Sequence, residues 1–109
     1  LSTLFANDDE AAVLSGETEL VAQMRVLGRT YGRVVIKLGA RGAAIGDAGG
    51  VRLMRSAPVV EVIDTTGAGD AFAAAFVSAE LAGADEAACL ERGIAAGSAA
   101  VTQVGGQPG

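Results

Sequence analysis

The feature that most constrains the fold of this chain is the stretch at residues 62–72, which reads V-I-D-T-T-G-A-G-D-A-F. A short apolar run ends at a carboxylate, and a Gly-Ala-Gly turn then leads into an alanine-rich segment that is typical of a helix. Backbone N–H groups at a helix start lack intrahelical partners and lie at the positive end of the helix dipole, so they bind anions readily. The stretch therefore predicts a strand, a tight turn and a helix N-terminus, with Asp70 either capping the helix or acting as a base beside a bound anion.

Composition excludes several classes of function. The net charge of −5 argues against nucleic acids and acidic membrane surfaces as partners, because both require a basic face. The chain has no histidine, so a histidine-containing triad or zinc site is excluded within it. The single cysteine, Cys89, cannot form an internal disulfide, which favours a reducing compartment and a cytoplasmic location. No apolar run reaches membrane-spanning length, and no signal-peptide pattern is present.

The pattern of the chain predicts an α/β domain in which helices and strands alternate. Val34, Val35 and Ile36 form a β-branched run of the kind found in strands buried on both faces of a parallel sheet. The helix that follows residue 70 is apolar almost all round, so we expect it to be buried on most sides. Strands are predicted at residues 1–6, 34–36 and 59–63, a hairpin at 43–54, and helices at 7–15, from 17 to about 30, from 70 to about 81, and from 85 to about 105.

Two further motifs have both a functional and a plain structural interpretation. Asn7 and Glu10 lie three apart in N-D-D-E, where they could organise Mg²⁺ or form a helix capping box, and the pattern alone favours the capping box. The segment K-L-G-A-R-G, from Lys37 to Gly42, follows a buried strand. Such a segment is either a ligand-binding loop of an α/β sheet or an ordinary turn into the hairpin.

Two common phosphate-binding motifs are absent from the sequence, and the glycine-rich C-terminal segment has two interpretations. The sequence contains neither G-x-x-x-x-G-K-[ST] nor G-x-G-x-x-G, so a Walker-type loop and a dinucleotide fingerprint are both excluded. The glycine-rich exit after Val104 would expose carbonyl oxygens that can bind a hard cation, although the spacing alone favours a plain helix end. The chain opens without Met inside a predicted strand, so we expect it to be a piece of a longer protein.

Taken together, the motifs resemble the C-terminal part of ribokinase-like (PfkB-type) carbohydrate kinases. Residues 62–72 are similar to the family signature D-T-x-G-A-G-D-x-F, and Asn7 with Glu10 resembles its N-x-x-E motif. The segment at 37–42 is similar to its nucleotide-contacting loop, and residues 100–108 resemble its C-terminal cation loop. The four motifs occur in the family's order along nearly the whole chain.

The resemblance implies a layered α/β/α fold with a mostly parallel sheet and a β-hairpin. Residues 1–109 would be its C-terminal nucleotide-binding and catalytic part, without the N-terminal sugar-binding part and lid. The implied reaction is ATP-dependent phosphorylation of an alcohol group of a sugar, with Asp70 as general base and the backbone amides of Gly67, Ala68 and Gly69 as the anion hole. The implied cofactors are Mg²⁺ with ATP, and K⁺ in many members. By position, the nucleotide, Mg²⁺ and phosphate would be held by Asn7, Glu10, Lys37, Gly39, Gly42 and Ile94, and the monovalent cation by Asp64, Thr66, Ala100, Gln103, Gly105 and Gly109.

Alternatives to a sugar kinase remain open at this stage. One is a nucleoside kinase of the adenosine or pseudouridine type. Another is a non-catalytic nucleotide-binding module, against which the intact Gly67-Ala68-Gly69-Asp70 argues. A third is an unrelated α/β fold with an anion site at a helix start. We expect a small-molecule sugar or nucleoside as substrate, no nucleic acid or membrane partner, and no activity from these 109 residues by themselves. Whether the full-length protein is a homodimer stays open.

Overall fold

The computed structural model of the chain describes residues 3–56 and 68–105. The chain divides into two compact units, Leu1–Arg55 and Ser56–Gly109. The predicted strand at 59–63 lies outside the described residues. In chain order the elements are β1 (Thr3–Asn7), α1 (Asp8–Ser15), α2 (Leu20–Tyr31), β2 (Arg33–Lys37), a 3-10 turn (Gly39–Arg41), β3 (Ala43–Asp47), β4 (Gly50–Arg55), α3 (Ala68–Leu81) and α4 (Glu86–Gly105).

The first unit is built on a four-stranded mixed sheet with the strand order β1-β2-β3-β4. Strands β1 and β2 are parallel and are joined through α1 and α2, so this part is a β-helix-β crossover. Strands β3 and β4 form the predicted hairpin, and β3 pairs antiparallel with β2. The register of the parallel pair sets Asn7 opposite Lys37, so the two predicted site segments leave the sheet side by side at its carboxyl end.

Both ends of α1 follow from local sequence. Asn7 is the N-cap in an extended conformation, and Asp8, Asp9 and Glu10 occupy the first turn, where the helix dipole favours negative charge. Gly16 closes the helix in the left-handed conformation at φ 74°, and its N–H donates to the carbonyl of Ala12. The helix predicted at residues 7–15 is therefore confirmed.

The second helix begins later than the sequence predicts. It starts at Leu20 rather than at residue 17, with Glu19 as an extended N-cap. The Gln23 side chain is buried and donates through Nε2 to the carbonyl oxygen of Glu17 at 2.9 Å. This side-chain bond engages the Glu17 carbonyl before the helix begins, and the spacing of apolar residues cannot predict such a bond.

The core of the first unit lies where α1 and α2 cover the sheet. Val34, Val35 and Ile36 are fully buried, which confirms the predicted buried strand. Leu38, the residue after Lys37, also belongs to this core, so burial of its side chain fixes the start of the predicted loop. The cluster comprises Ala6, Ala11, Met24, Leu27, Val34, Ile36, Leu38 and Ala44.

The second unit consists, in its described part, of α3 packed against α4. The expectation that α3 is buried on most sides is wrong for this part: Val77 is 40% and Leu81 84% exposed. The reason is geometric, because packing against one helix covers a single stripe, here formed by Phe72, Phe76 and Ala79. Gly83 follows α3 at φ 93°, and Asp85 starts α4 by accepting the N–H of Ala88 at 2.8 Å. No helix within residues 3–56 or 68–105 is long and apolar enough to cross a lipid bilayer.

Candidate functional site

The first candidate element is the junction of β1 and α1, where a capping box forms. Oδ1 of Asn7 accepts the backbone N–H of Glu10 at 2.7 Å, and Oε1 of Glu10 accepts the backbone N–H of Asn7 at 2.9 Å. The structural interpretation of N-x-x-E is thus realised. The cap takes up neither Nδ2 of Asn7 nor Oε2 of Glu10. Because both residues are exposed, these two atoms can serve a ligand.

The donor set at this junction suits a hydrated magnesium ion. Mg²⁺ keeps several waters and is typically held by one or two carboxylates together with substrate phosphates. Glu10 supplies an exposed carboxylate, and Asp8 and Asp9 add negative charge in the same turn. In the described part of the chain, no group of three or more His, Cys, Asp or Glu side chains is placed to enclose a metal. The residues therefore fit an ion held largely through water and phosphate.

The second candidate element is the turn that follows β2. Lys37 is half-buried at the last position of the strand, beside Asn7 in the parallel register. The Leu38 N–H donates to the Gly42 carbonyl at 2.8 Å, and the Gly42 N–H donates to the Gly39 carbonyl at 3.1 Å. Gly39 and Gly42 have φ values of 61° and 104°, which side chains with a Cβ rarely adopt. These two glycines let the chain reverse tightly over the buried Leu38.

The third candidate element is the first turn of α3 in the second unit. The predicted helix is present, but it begins at Ala68, two residues before the predicted start, and it carries Gly69 and Asp70 in its first turn. The Asp70 side chain is exposed. Amide groups of a first turn point along the helix axis without intrahelical acceptors, which gives this turn the capacity to bind an anion. Gly67, Asp64 and Thr66 lie outside the described residues.

Helix α4 carries the other predicted positions of the second unit. Ile94 is 7% exposed. The backbone of Ala100, Gln103 and Gly105 lies in the last turns of α4, as expected for a helix that ends in a glycine-rich exit. Gly109 lies outside the described residues.

One contact beside α3 was missed by sequence reasoning. The ring of Phe72, two residues after Asp70, lies against the backbone of Gly93 on α4. A Cβ added at Gly93 would lie 3.0 Å from Cε1 and Cζ of Phe72 and 3.1 Å from Cδ1. A glycine inside a helix costs stability relative to alanine, so Gly93 itself was the available signal of a close approach.

A largely apolar groove of about 450 Å³ lies beside the β1–α1 junction. Glu10 is one of its lining residues, and Val13, which is 84% exposed, contributes apolar surface. The groove is lined by Leu4, Phe5, Ala6, Asp9, Glu10, Val13 and Leu14.

Comparison with known proteins gives consistent matches over the whole chain. The sequence profile described as "pfkB family carbohydrate kinase" matches residues 1–109. A ribokinase from Arabidopsis thaliana is 36% identical over 117 residues, covering 99% of this chain and 30% of that protein.

Solved structures agree in fold. The crystal structure of adenosine kinase from Sinorhizobium meliloti matches with a TM-score of 0.87 at 28% identity, over 99% of this chain and 33% of that one. The structure of Arabidopsis thaliana ribokinase complexed with ribose and ATP matches with a TM-score of 0.82 at 33% identity, over 96% of this chain and 36% of that one. The chain therefore spans about a third of the length of the relatives it matches.

Proposed function

This chain belongs to the pfkB family of carbohydrate kinases, and we propose that residues 1–109 are the nucleotide-binding and catalytic part of an ATP-dependent kinase. The acceptor is an alcohol group of a sugar. The observation that carries the proposal is the position of Asp70, exposed in the first turn of α3, within a chain that matches the family from end to end. The similarity to a ribokinase whose structure holds ribose and ATP supports both the donor and the class of acceptor.

In this proposal Asp70 accepts the proton of the attacking hydroxyl. Phosphoryl transfer depends on positioning and on neutralising charge far more than on covalent chemistry, so a carboxylate beside an anion-binding turn suits the proton-transfer part of this reaction. The backbone amides of Gly67, Ala68 and Gly69 would stabilise the negative charge that develops on the transferring group. In the forming O–P bond, Asp70 would then act on the attacking oxygen, and the backbone amides would act on the transferring phosphoryl group.

The first unit would hold the nucleotide. The exposed Oε2 of Glu10 and Nδ2 of Asn7 would organise hydrated Mg²⁺ and phosphate, because the capping box already fixes both side chains. Lys37 would contribute positive charge next to Asn7, and the turn at Gly39 and Gly42 would line the nucleotide. Mg²⁺ supplies neutralisation of phosphate charge when bound.

Two assignments in the second unit complete the proposal. Ile94 would lie near the adenine edge of the nucleotide. A monovalent cation such as K⁺ would lie behind the anion-binding turn, held by residues of two segments. These are Asp64 and Thr66 before the turn, and Ala100, Gln103, Gly105 and Gly109 at the end of α4.

The decisive experiment is Asp70→Asn in the full-length gene product, assayed by ADP release with Mg²⁺-ATP and a panel of sugars. General-base catalysis contributes roughly 10²- to 10⁴-fold, so kcat should fall by about that factor. Binding of ATP should survive, because Asn keeps the size of the side chain and the backbone amides are unchanged.

Glu17→Gln is the matched control, since it removes one negative charge from an exposed position outside the proposed site. It should leave kcat within about twofold of the parent value. Near-normal turnover of Asp70→Asn would refute Asp70 as the base. A parent protein that binds ATP but phosphorylates no acceptor would favour the non-catalytic alternative.

A nucleoside kinase is the second candidate function, and the structural similarity to adenosine kinase from Sinorhizobium meliloti is what favours it. The same assay with ribose, fructose, deoxygluconate, adenosine and pseudouridine separates the two classes. Turnover confined to the nucleosides would replace the sugar by a nucleoside while leaving the role of Asp70 intact.

A further inference from the structure

The packing of α3 on α4 contains one contact that is unusually close. The Phe72 ring faces Gly93 so closely that the missing Cβ would fall 3.0 Å from two of its ring carbons. Carbon atoms in favourable contact are about 3.5–4.0 Å apart. The ring therefore lies closer to the backbone of residue 93 than a side chain there would allow without a small shift.

The ring cannot move away freely, because it is enclosed on other sides. Phe72 is 4% exposed. Its ring stacks on that of Phe76 with the centroids 6.5 Å apart and the planes at 14°. Phe76 is itself fully buried, so Phe72 is held between a helix backbone and a fixed aromatic ring.

Phe72 also belongs to the turn that carries Asp70. At 3.6 residues per turn, two residues along a helix differ in direction by about 200°, so the side chains at 70 and 72 leave α3 on opposite faces. The structure agrees, since Phe72 is buried towards α4 and Asp70 is exposed. Any rotation or shift of α3 that moves the ring must move Asp70 with it.

We propose that Phe72 and Gly93 form a positioning contact that sets the orientation of the first turn of α3 and thereby places Asp70 for proton transfer. This inference rests on the proposed function of Asp70. Neither residue touches the reacting atoms; the ring acts through the helix that it anchors. The contact also gives a physical reason for a glycine in the interior of α4, where alanine is intrinsically the better helix former.

The test is Gly93→Ala in the full-length gene product. The added methyl group requires the ring to give way by a few tenths of an ångström. If α3 moves with the ring, the resulting misplacement of Asp70 should lower kcat about threefold to tenfold. The KM for ATP should change by less than about twofold, because the contacts proposed at the β1–α1 junction and at Lys37 are untouched and the neighbouring Ile94 keeps its side chain. The gain in helix propensity opposes the steric cost, so the melting temperature should stay within about 4 °C of the parent value.

Two double variants distinguish a displacement of Asp70 from a general loss of packing between α3 and α4. Phe72→Leu removes ring atoms that the new methyl group meets, so Phe72→Leu combined with Gly93→Ala should have a higher kcat than Gly93→Ala by itself. In the Asp70→Asn background, Gly93→Ala should produce no further fall in the residual turnover, since the group that it displaces is already inactive. Ile45→Val, at a fully buried position of β3 in the first unit, is the control for lost stability and should leave kcat unchanged.

Each outcome decides the inference. Unchanged kcat in Gly93→Ala, or an equal fall in the presence and absence of the Asp70 carboxylate, would overturn it. If Gly93→Ala does not fold, Phe72→Leu decides, and a parent-like kcat in that variant would overturn the inference as well. Full activity of Asp70→Asn would refute the proposed base. A collapse of Asp70→Asn beside a normal Gly93→Ala would refute the positioning contact alone.

Discussion

At the scale of single residues, the pair Asn7 and Glu10 shows that one motif can serve both the fold and a proposed site. The sequence left helix capping and Mg²⁺ organisation as alternatives. In the structure the cap uses one polar atom of each side chain and holds the other in a fixed place. The two interpretations are therefore compatible, because capping orients the atoms that a ligand would meet.

The stability contribution of this cap can be measured with two substitutions. Asn7→Ala removes the acceptor of the Glu10 N–H and should lower the free energy of unfolding by about 1 kcal/mol. Asn7→Ser is the matched variant that keeps a capping oxygen, and it should recover most of that loss. Equilibrium denaturation of the full-length gene product in urea measures both. Equal destabilisation by Ala and Ser would show that the side-chain acceptor is not what stabilises the start of α1.

At the scale of elements, α2 is held against the hairpin by backbone contact. A Cβ at Gly28 would lie 2.2 Å from the backbone N of Ala48 and 2.3 Å from the carbonyl carbon of Asp47. The turn itself is fixed by Asp47, whose Oδ1 accepts the N–H of Gly49 at 2.8 Å and whose other oxygen pairs with Arg52. The hairpin turn therefore packs closely on the backbone of α2.

This packing predicts a large effect of Gly28→Ala. The methyl group meets backbone atoms that no rotamer change can relieve, so overpacking should cost about 3 kcal/mol or more of unfolding free energy. Gly16→Ala is the matched control: nothing lies within 4 Å of its Cβ position, and the cost there comes only from φ 74°. That cost should be about 1–2 kcal/mol. Thermal unfolding of the two variants gives the comparison, and similar losses would contradict the close approach.

At the scale of the whole molecule, the features that could be predicted from the sequence are those set by residues close together along the chain. The strand of Val34 to Ile36, the hairpin, the glycine stop of α1 and the helix start near Asp70 were predictable, because each depends on neighbours along the chain. The late start of α2 was not, since it depends on the bond from Gln23 to Glu17. The Phe72–Gly93 contact joins two helices, so the spacing of apolar residues along the chain could not predict it either.

The last prediction concerns the activity of the 109-residue chain by itself. Val13 and Leu81 are each 84% exposed, and the chain spans about a third of the length of the relatives it matches. The resemblance assigns the sugar-holding residues to the N-terminal part of the family fold. We therefore expect the 109-residue chain by itself to phosphorylate no sugar or nucleoside, whereas the full-length gene product does.

Coupled assays of both proteins at equal concentration, with far-UV circular dichroism to show that the short chain is folded, measure this difference. The expectation separates two requirements of the reaction, since positioning Asp70 beside an anion-binding turn supplies the base but not the binding of the acceptor. ATP-dependent phosphorylation of ribose by the short chain would contradict it. Such activity would place an acceptor site within these 109 residues.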